Sequence, residues 1–314
     1  MRTNLERKKI ICLFGPTATG KTDLAVELVK RFPLEIISVD SALIYKGMDI
    51  GTGKPSQDVL DVAPHRLIDI CSPLDSYSVA NFISDAKREI ESIHSNGKTP
   101  ILVGGTMMYF KGLLNGINKL PETNSVVRDE ILKQLECFGI NQLHSELFKV
   151  DPISANKLHP NDTQRVLRAL EVYKISGKPM SSFQQELVNK PDYDAQCFAL
   201  LPENDKKILH KRIENRFDAM LEDGFIDEVK GLHAVQKLDP SFASIKSVGY
   251  RQAWEYLDGS IDFTTMREKA VIATRQLAKR QVTWLRSWED VNFLNCEDYA
   301  VERLLDQIID QLAF

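Results

Sequence analysis

The chain has 314 residues, of which 43% are hydrophobic and 27% charged, and a formal net charge of −4. That composition is ordinary for a globular protein and long enough for one large α/β domain and a smaller one. No apolar run approaches the about 20 residues that a membrane span needs, so no membrane partner is expected. Five scattered cysteines (Cys12, Cys71, Cys137, Cys197, Cys296) include no C-x-x-C pair, which suits a reducing cytoplasm and argues against structural zinc or a disulfide framework.

Along the chain, the leading MRTNLERKK has no apolar core and does not read as a secretory signal. The run Ile10-Ile11-Cys12-Leu13-Phe14 reads as a buried parallel strand, and Thr22 to Phe32 as an amphipathic helix. Between them Gly15, Pro16, Thr17, Ala18, Thr19, Gly20, Lys21 and Thr22 spell GPTATGKT, which fits the phosphate-loop pattern G-x-x-x-x-G-K-[ST] at every fixed position. Glycines let the backbone curl so that its N–H groups converge, and the helix N-terminus adds partial positive charge. Lys21 supplies a mobile cation, and the Thr22 hydroxyl can ligate Mg²⁺. The protein is expected to bind a polyphosphate or diphosphate. ATP is the default ligand of such a nucleotide-binding loop.

The next strands argue against that default. Phosphate-loop NTPases carry a further strand ending in an Asp that holds the Mg²⁺ shell. Here Pro100 to Val103 (PILV) runs instead into Gly104-Gly105-Thr106, a close-approach turn with a hydroxyl and no carboxylate. The acid stands elsewhere. Glu35-Ile36-Ile37-Ser38-Val39 places Asp40 at the C-terminal end of another strand, the end at which ligands bind in open α/β sheets. Position alone leaves Asp40 three roles: general base, turn cap or Mg²⁺ shell ligand.

After Asn118 the strand–helix alternation stops, and residues 119–189 read as helical and charged. Val126 to Cys137 has a helical pattern. A further helix takes Asp162 as N-cap, buries Val166, Ala169, Leu170 and Tyr173, and stops at Gly177. Asp192 to Leu201 reads as a strand returning to the sheet, and Lys206 to Leu221 as a long helix. Lys246 to Arg286 carries eight basic residues against four acidic ones, and a helix through it brings Arg275, Lys279 and Arg286 within about 40° of one another. An acidic chain can bind a polyanion through such a local face.

Several of these segments form a recognisable series. Asp40 to Gly53 (DSALIYKGMDIGTG) is followed by Lys54-Pro55, Ala63-Pro64-His65-Arg66-Leu67, Gly104-Gly105-Thr106 and His159-Pro160-Asn161-Asp162. Gln164-Arg165 with Arg168, Val248-Gly249-Tyr250-Arg251, and Thr274 to Gln281 running on to Trp284-Leu285-Arg286 complete it. In this order and content the chain resembles the tRNA dimethylallyltransferases of bacterial type, and the matches reach from Gly15 to Arg286. Two departures are small: Met107-Met108 stand where a Gly-Leu pair is frequent, and Gly53 where Ala is frequent.

The resemblance implies an α/β phosphate-loop core with a mostly parallel sheet flanked by helices, formed by 1–118 and 190–314. An all-helical insertion at 119–189 would contact the tRNA anticodon arm. It implies transfer of a dimethylallyl group from dimethylallyl diphosphate to N6 of adenosine 37 of tRNAs, with Mg²⁺, in a cytoplasmic monomer. Asp40, Thr106 and Arg216 become the candidate catalytic residues, and Gly15 to Thr22 the diphosphate site with Thr22 toward Mg²⁺. Expected tRNA contacts are Asp40, Ser41, Ala42, Leu43, Thr106, Arg128, Gln164, Arg165, Val166, Leu167, Arg168, Lys246, Ser247, Val248, Gly249, Tyr250, Arg251, Lys279, Arg280 and Arg286. Tyr250 could stack on a base or pack in the core. The alternatives are a nucleoside-kinase-type phosphotransferase, a prenyltransferase acting on free AMP or ADP, and a non-catalytic RNA-binding module. Gly104-Gly105-Thr106 stands against the first, the insertion against the second, and intact Lys21, Thr22 and Asp40 against the third.

Overall fold

A computed structural model describes residues 7–183, 193–203, 206–298 and 300–312. Asp192, and residues 184–189 of the helical segment, lie outside them. By contacts the chain divides into two compact units, Met1–Leu113 with Asp192–Phe314, and Leu114–Pro191.

The first unit alternates strand and helix. β1 (Lys8–Phe14), α1 (Lys21–Arg31), β2 (Leu34–Val39), α2 (Gln57–Val62), β3 (His65–Arg66), α3 (Val79–Ser95), β4 (Thr99–Gly104) and α4 (Met107–Asn115) come first. Its strands form one sheet, β3-β2-β4-β1, continued by β5 (Tyr193–Leu201) and β6 (Asn292–Asn295), and every pairing is parallel. A parallel sheet needs both faces covered, which is why its central strands are unbroken apolar runs. On one face Ile11, Leu13, Ile36, Ile101 and Val103 pack under Leu24 and Leu28 of α1, and under Leu304, Leu305 and Ile308 of α13 (Val301–Ile309). On the other, Phe14 meets Phe110 edge-on at 4.3 Å and Trp288 at 4.9 Å.

After β5 come α9 (Lys206–Glu222), α10 (Phe225–His233), α11 (Tyr250–Leu257) and α12 (Phe263–Arg286). They build a second core in which Phe217, Phe225, Tyr250, Trp254 and Met266 enclose Ile44, Tyr45 and Met48 from the segment after β2. This packing lays the chain beyond Asp40 against helices far away in sequence, and so forms one wall of the site.

The second unit is helical: α5 (Ser125–Val150), α6 (Pro152–Lys157), α7 (Thr163–Ser176) and α8 (Met180–Phe183). α5 is broken at Gly139, whose φ of 74° lies in the left-handed region. Asp162 caps α7 by accepting from the Arg165 N–H, and Gly177, at φ 69°, ends it. Ile131, Leu143 and Leu147 of α5 pack with Val166, Leu167, Ala169 and Leu170 of α7. Glu171 is fully buried, and its Oε2 accepts from Arg168 at 2.9 Å and from Arg128 at 3.4 Å. Arg168 also donates to the Pro121 carbonyl at 2.7 Å. Among the described residues no helix is long and apolar enough to cross a membrane.

Candidate active site

The phosphate loop leaves β1 at its C-terminal end and re-enters helix at Lys21. Two residues take the left-handed conformation that the turn requires, Ala18 (φ 64°) and Gly20 (φ 83°). Thr19 is buried and closes the loop from inside, its hydroxyl donating to the Pro16 carbonyl at 2.9 Å. The first N–H to bond back along α1 is that of Leu24, to the Gly20 carbonyl at 3.2 Å. The first turn of any helix leaves its leading N–H groups without intrahelical partners, and Lys21 and Thr22 stand in that turn, at the helix end that attracts an anion.

Lys21 Nζ donates to the Pro16 carbonyl at 2.6 Å, which holds the ammonium over its own loop. Burial pushes its pKa down to about 8, with the nearby Arg216 guanidinium adding to the fall and Asp40 opposing it. Arg216 reaches in from α9: Nη1 donates to Thr17 Oγ1 at 3.4 Å and Nη2 to the Thr52 carbonyl at 3.5 Å. Two cations thus converge on the loop, at an electrostatic cost that a bound anion would relieve.

Asp40 follows β2 directly. Its Oδ1 accepts from the amides of Ala42 (2.8 Å) and Leu43 (3.3 Å). The carboxylate is therefore a turn cap, and Oδ2 takes no part in that turn. One of the three roles left open by the sequence, the turn cap, is thus taken by one oxygen. Thr106 stands beside it: Oγ1 accepts from the Ser41 amide at 3.1 Å and lies 3.4 Å from Ser41 Oγ.

Lys21, Asp40 and Arg216 meet in one cleft of about 180 Å³ in the first unit. Thr17, Ala18, Lys21, Thr22, Asp40, Ala42, Leu43 and Arg216 line it, as do Ser247, Val248, Gly249 and Tyr250. Gly15, Pro16, Thr19 and Gly20 form the frame of the loop. Ser41, Thr106, Lys246 and Arg251 are not among its walls. Lys279 and Arg280 lie along α12 in a separate surface groove with Gln276, Thr283 and Trp284, and Arg286 is exposed at the end of the same helix. Arg275 leaves that basic face to pair with Glu214 at 3.5 Å.

The packing bears on several of these positions. Tyr250 is fully buried, edge-on to Phe225 with ring centroids 5.1 Å apart, so it packs in the core and does not offer a ring face to a base. Val166 and Leu167 are buried in the helical unit, and their side chains serve its core. The Thr17 N–H, within the Gly15 to Thr22 segment expected to bind diphosphate, is taken by Gln281 Oε1 at 3.1 Å. Of the contacts expected on the helical unit, Gln164 and Arg165 are exposed on α7, whereas Arg128 and Arg168 are tied to Glu171.

Gln281 is the residue that motif reading passed over. Its amide spans two turns, accepting from Thr17 and donating from Nε2 to the Gly105 carbonyl at 2.9 Å. Its place in the Thr274 to Gln281 block was the available signal. Gly104 has no room for a side chain: a Cβ there would lie 2.1 Å from the Val39 carbonyl oxygen. The end of β4 therefore cannot carry the carboxylate of a nucleoside kinase. Oxygen donors suited to a hard divalent cation line the cleft at Thr22, Ser38 and Asp40, and among the described residues Ser38 Oγ is buried without a partner. That donor set fits Mg²⁺ shared with diphosphate oxygens.

The comparisons with known proteins agree with this geometry. A family model described as IPP transferase matches residues 43–288. The chain is 34% identical to the tRNA isopentenylpyrophosphate transferase of Bacillus halodurans, covering 97% of each chain at a TM-score of 0.69. It is 37% identical to the tRNA delta(2)-isopentenylpyrophosphate transferase of Staphylococcus epidermidis, covering 97% of this chain and 99% of that one at a TM-score of 0.70. A eukaryotic dimethylallyltransferase acting on tRNA is 28% identical, with 97% of this chain and 80% of that one covered and a TM-score of 0.78. A phosphate loop facing Asp40 across one cleft, on a chain so matched, places this protein in the IPP transferase family.

Proposed function

We propose that this protein transfers a dimethylallyl group from dimethylallyl diphosphate to N6 of adenosine 37 in the anticodon loop of tRNAs. The observation that carries the reading is the meeting, in one cleft, of a diphosphate cradle with a carboxylate that still has an oxygen to offer.

Adenine N6 is a poor nucleophile because its lone pair is delocalised into the ring. The allylic diphosphate compensates, since its C1–O bond breaks toward a stabilised cation as the diphosphate departs. The protein must hold the departing charge and align the amine. The first-turn amides of α1, the Lys21 ammonium and the Arg216 guanidinium bind the diphosphate from three sides. Thr22, with Ser38 nearby, would hold Mg²⁺, which supplies charge neutralisation to the leaving group when bound. Asp40 Oδ2 accepts the amine proton as N6 bonds to C1, and the two amides on Oδ1 keep the carboxylate turned to the amine. Thr106, bonded to Ser41, braces the turn that carries Asp40.

An adenine reaches such a cleft only when it leaves its stack, which is cheaper in a single-stranded loop than in a duplex. Gln164 and Arg165 on the helical unit, Lys246 just before α11 and Arg251 on it, and Lys279, Arg280 and Arg286 on α12 are exposed groups suited to the RNA backbone. The test is transfer of label from dimethylallyl diphosphate to an unmodified anticodon stem-loop bearing A-A-A at positions 36 to 38, with Mg²⁺ and with free AMP as competitor. Labelled RNA is expected. Labelled AMP with unlabelled RNA, or consumption of ATP, would reject the tRNA assignment.

A further inference from the structure

Glu228, on α10, has no part in the chemistry above, yet its carboxylate accepts from four donors. Oε2 accepts from the backbone N–H of Asp49 at 2.8 Å and of Ile50 at 2.6 Å. Oε1 accepts from the N–H of Gly51 at 3.1 Å and from the Tyr250 hydroxyl at 2.5 Å. Three successive amides turned toward one anion make a nest, and here an internal carboxylate fills it. Bonds to an ionised acceptor are roughly twice as strong as neutral ones, so the segment is held tightly. It is also held close. A Cβ on Gly51 would stand 2.1 Å from Phe225 and 2.7 Å from Tyr250, which leaves no space for a side chain.

The consequence lies one and two residues further on. The Thr52 carbonyl accepts from Arg216 Nη2, and the Gly53 backbone lies so near that a Cβ there would be 1.7 Å from the same nitrogen. The other arm of the guanidinium is thereby directed to Thr17 Oγ1 in the phosphate loop. Tyr250 and its neighbours Val248 and Gly249 line the same cleft, so one carboxylate ties together two of its walls.

We propose that Glu228 is the positioning residue for diphosphate capture: by filling the 49–51 nest it fixes the backbone wall against which Arg216 is laid, and so sets the aim of that guanidinium. This rests on the reading that the cleft binds diphosphate. A purely structural Glu228 would affect folding stability, and its loss would weaken every ligand whether or not Arg216 is present.

The test is a double-mutant cycle read by calorimetric binding of inorganic diphosphate with Mg²⁺. The proteins are wild type, Glu228→Gln, Arg216→Ala and the double variant, with thermal unfolding recorded for each. A glutamine turns N–H groups toward donors that the carboxylate accepted from. Glu228→Gln is expected to weaken diphosphate binding about tenfold in the wild-type background, and less than about twofold when Arg216 is already Ala. Equal weakening in both backgrounds, or none in the wild type, overturns the proposal. Tyr250→Phe removes only one of the bonds to Oε1, keeps the ring in the core, and decides the matter if Glu228→Gln does not fold. A loss of affinity of about two- to fivefold that depends on Arg216 supports the proposal, and an Arg216-independent loss or none overturns it. Failure of wild type to bind diphosphate would remove the functional reading itself. Binding by wild type that is indifferent to Glu228 would remove this inference alone.

Discussion

Lys21 illustrates how burial tunes a binding group. An ordinary lysine keeps its proton well above neutral pH, but burial and the repulsion of Arg216 bring this one down to about 8. The charged form is the one that meets a diphosphate. Because the pKa of the free protein is lowered, the ammonium is present below about 8 and is lost as the pH rises through that value. Diphosphate affinity should therefore fall between pH 7 and 9, and Lys21→Arg, which stays protonated, should flatten the profile. Titration calorimetry across that range checks it; an equally steep fall in Lys21→Arg would assign the titration to another group. Asp40 divides its carboxylate, with one oxygen bound into the turn and the other assigned to the amine in the proposed mechanism. Its position at the end of β2 follows from sequence pattern alone, because a strand of buried apolar residues ending in an acid can be read locally. Its division of labour cannot be, since it depends on how the backbone of Ala42 and Leu43 curls.

At the scale of elements, the phosphate loop is held by what packs behind it. α12 brings Gln281 to the loop across 264 residues of sequence and to the β4 turn across 176. Losing one such bond costs about 0.5–1.5 kcal/mol, and a buried polar group left unmatched about 1–3 kcal/mol. Gln281→Ala should thus raise the KM for dimethylallyl diphosphate roughly 5- to 30-fold through two lost bonds, with kcat changed much less. Steady-state kinetics with saturating RNA measures this; a fall in kcat at constant KM would mean that Gln281 acts on the transition state instead. The same distance in sequence explains what local reading misses. β1, α1, β2, β4, α7 and the strand ending at Leu201 carry their own signals in periodicity, glycines and caps. β3 is only two residues long, and β6 is half-exposed, with Asn at both ends, so neither has an apolar run to announce it. Gln281, Glu228 and the burial of Tyr250 are tertiary facts, set by helices that arrive from the far end of the chain.

For the whole molecule the question is how a chain of net charge −4 binds a polyanion. Exposed cations remain on α12 at Lys279, Arg280 and Arg286, while Arg275 and Arg267 are consumed by Glu214 and Asp218. RNA affinity should fall with salt, and each of Lys279→Ala, Arg280→Ala and Arg286→Ala should lower the log–log salt slope by about 0.7 to 1. Filter binding of the stem-loop between low and physiological salt measures this, and an unchanged slope would move the RNA contact to another face. The central claim is narrower: one cleft holds the diphosphate and takes the amine proton. Single-turnover transfer to the stem-loop, in wild type and Asp40→Asn, with RNA and diphosphate affinities measured in parallel, tests it most directly. The account predicts transfer slowed by about 10²–10⁴-fold, the range of a lost general base, while both affinities stay within about threefold. Transfer at the wild-type rate, or slowing that is wholly explained by lost RNA binding, would contradict it.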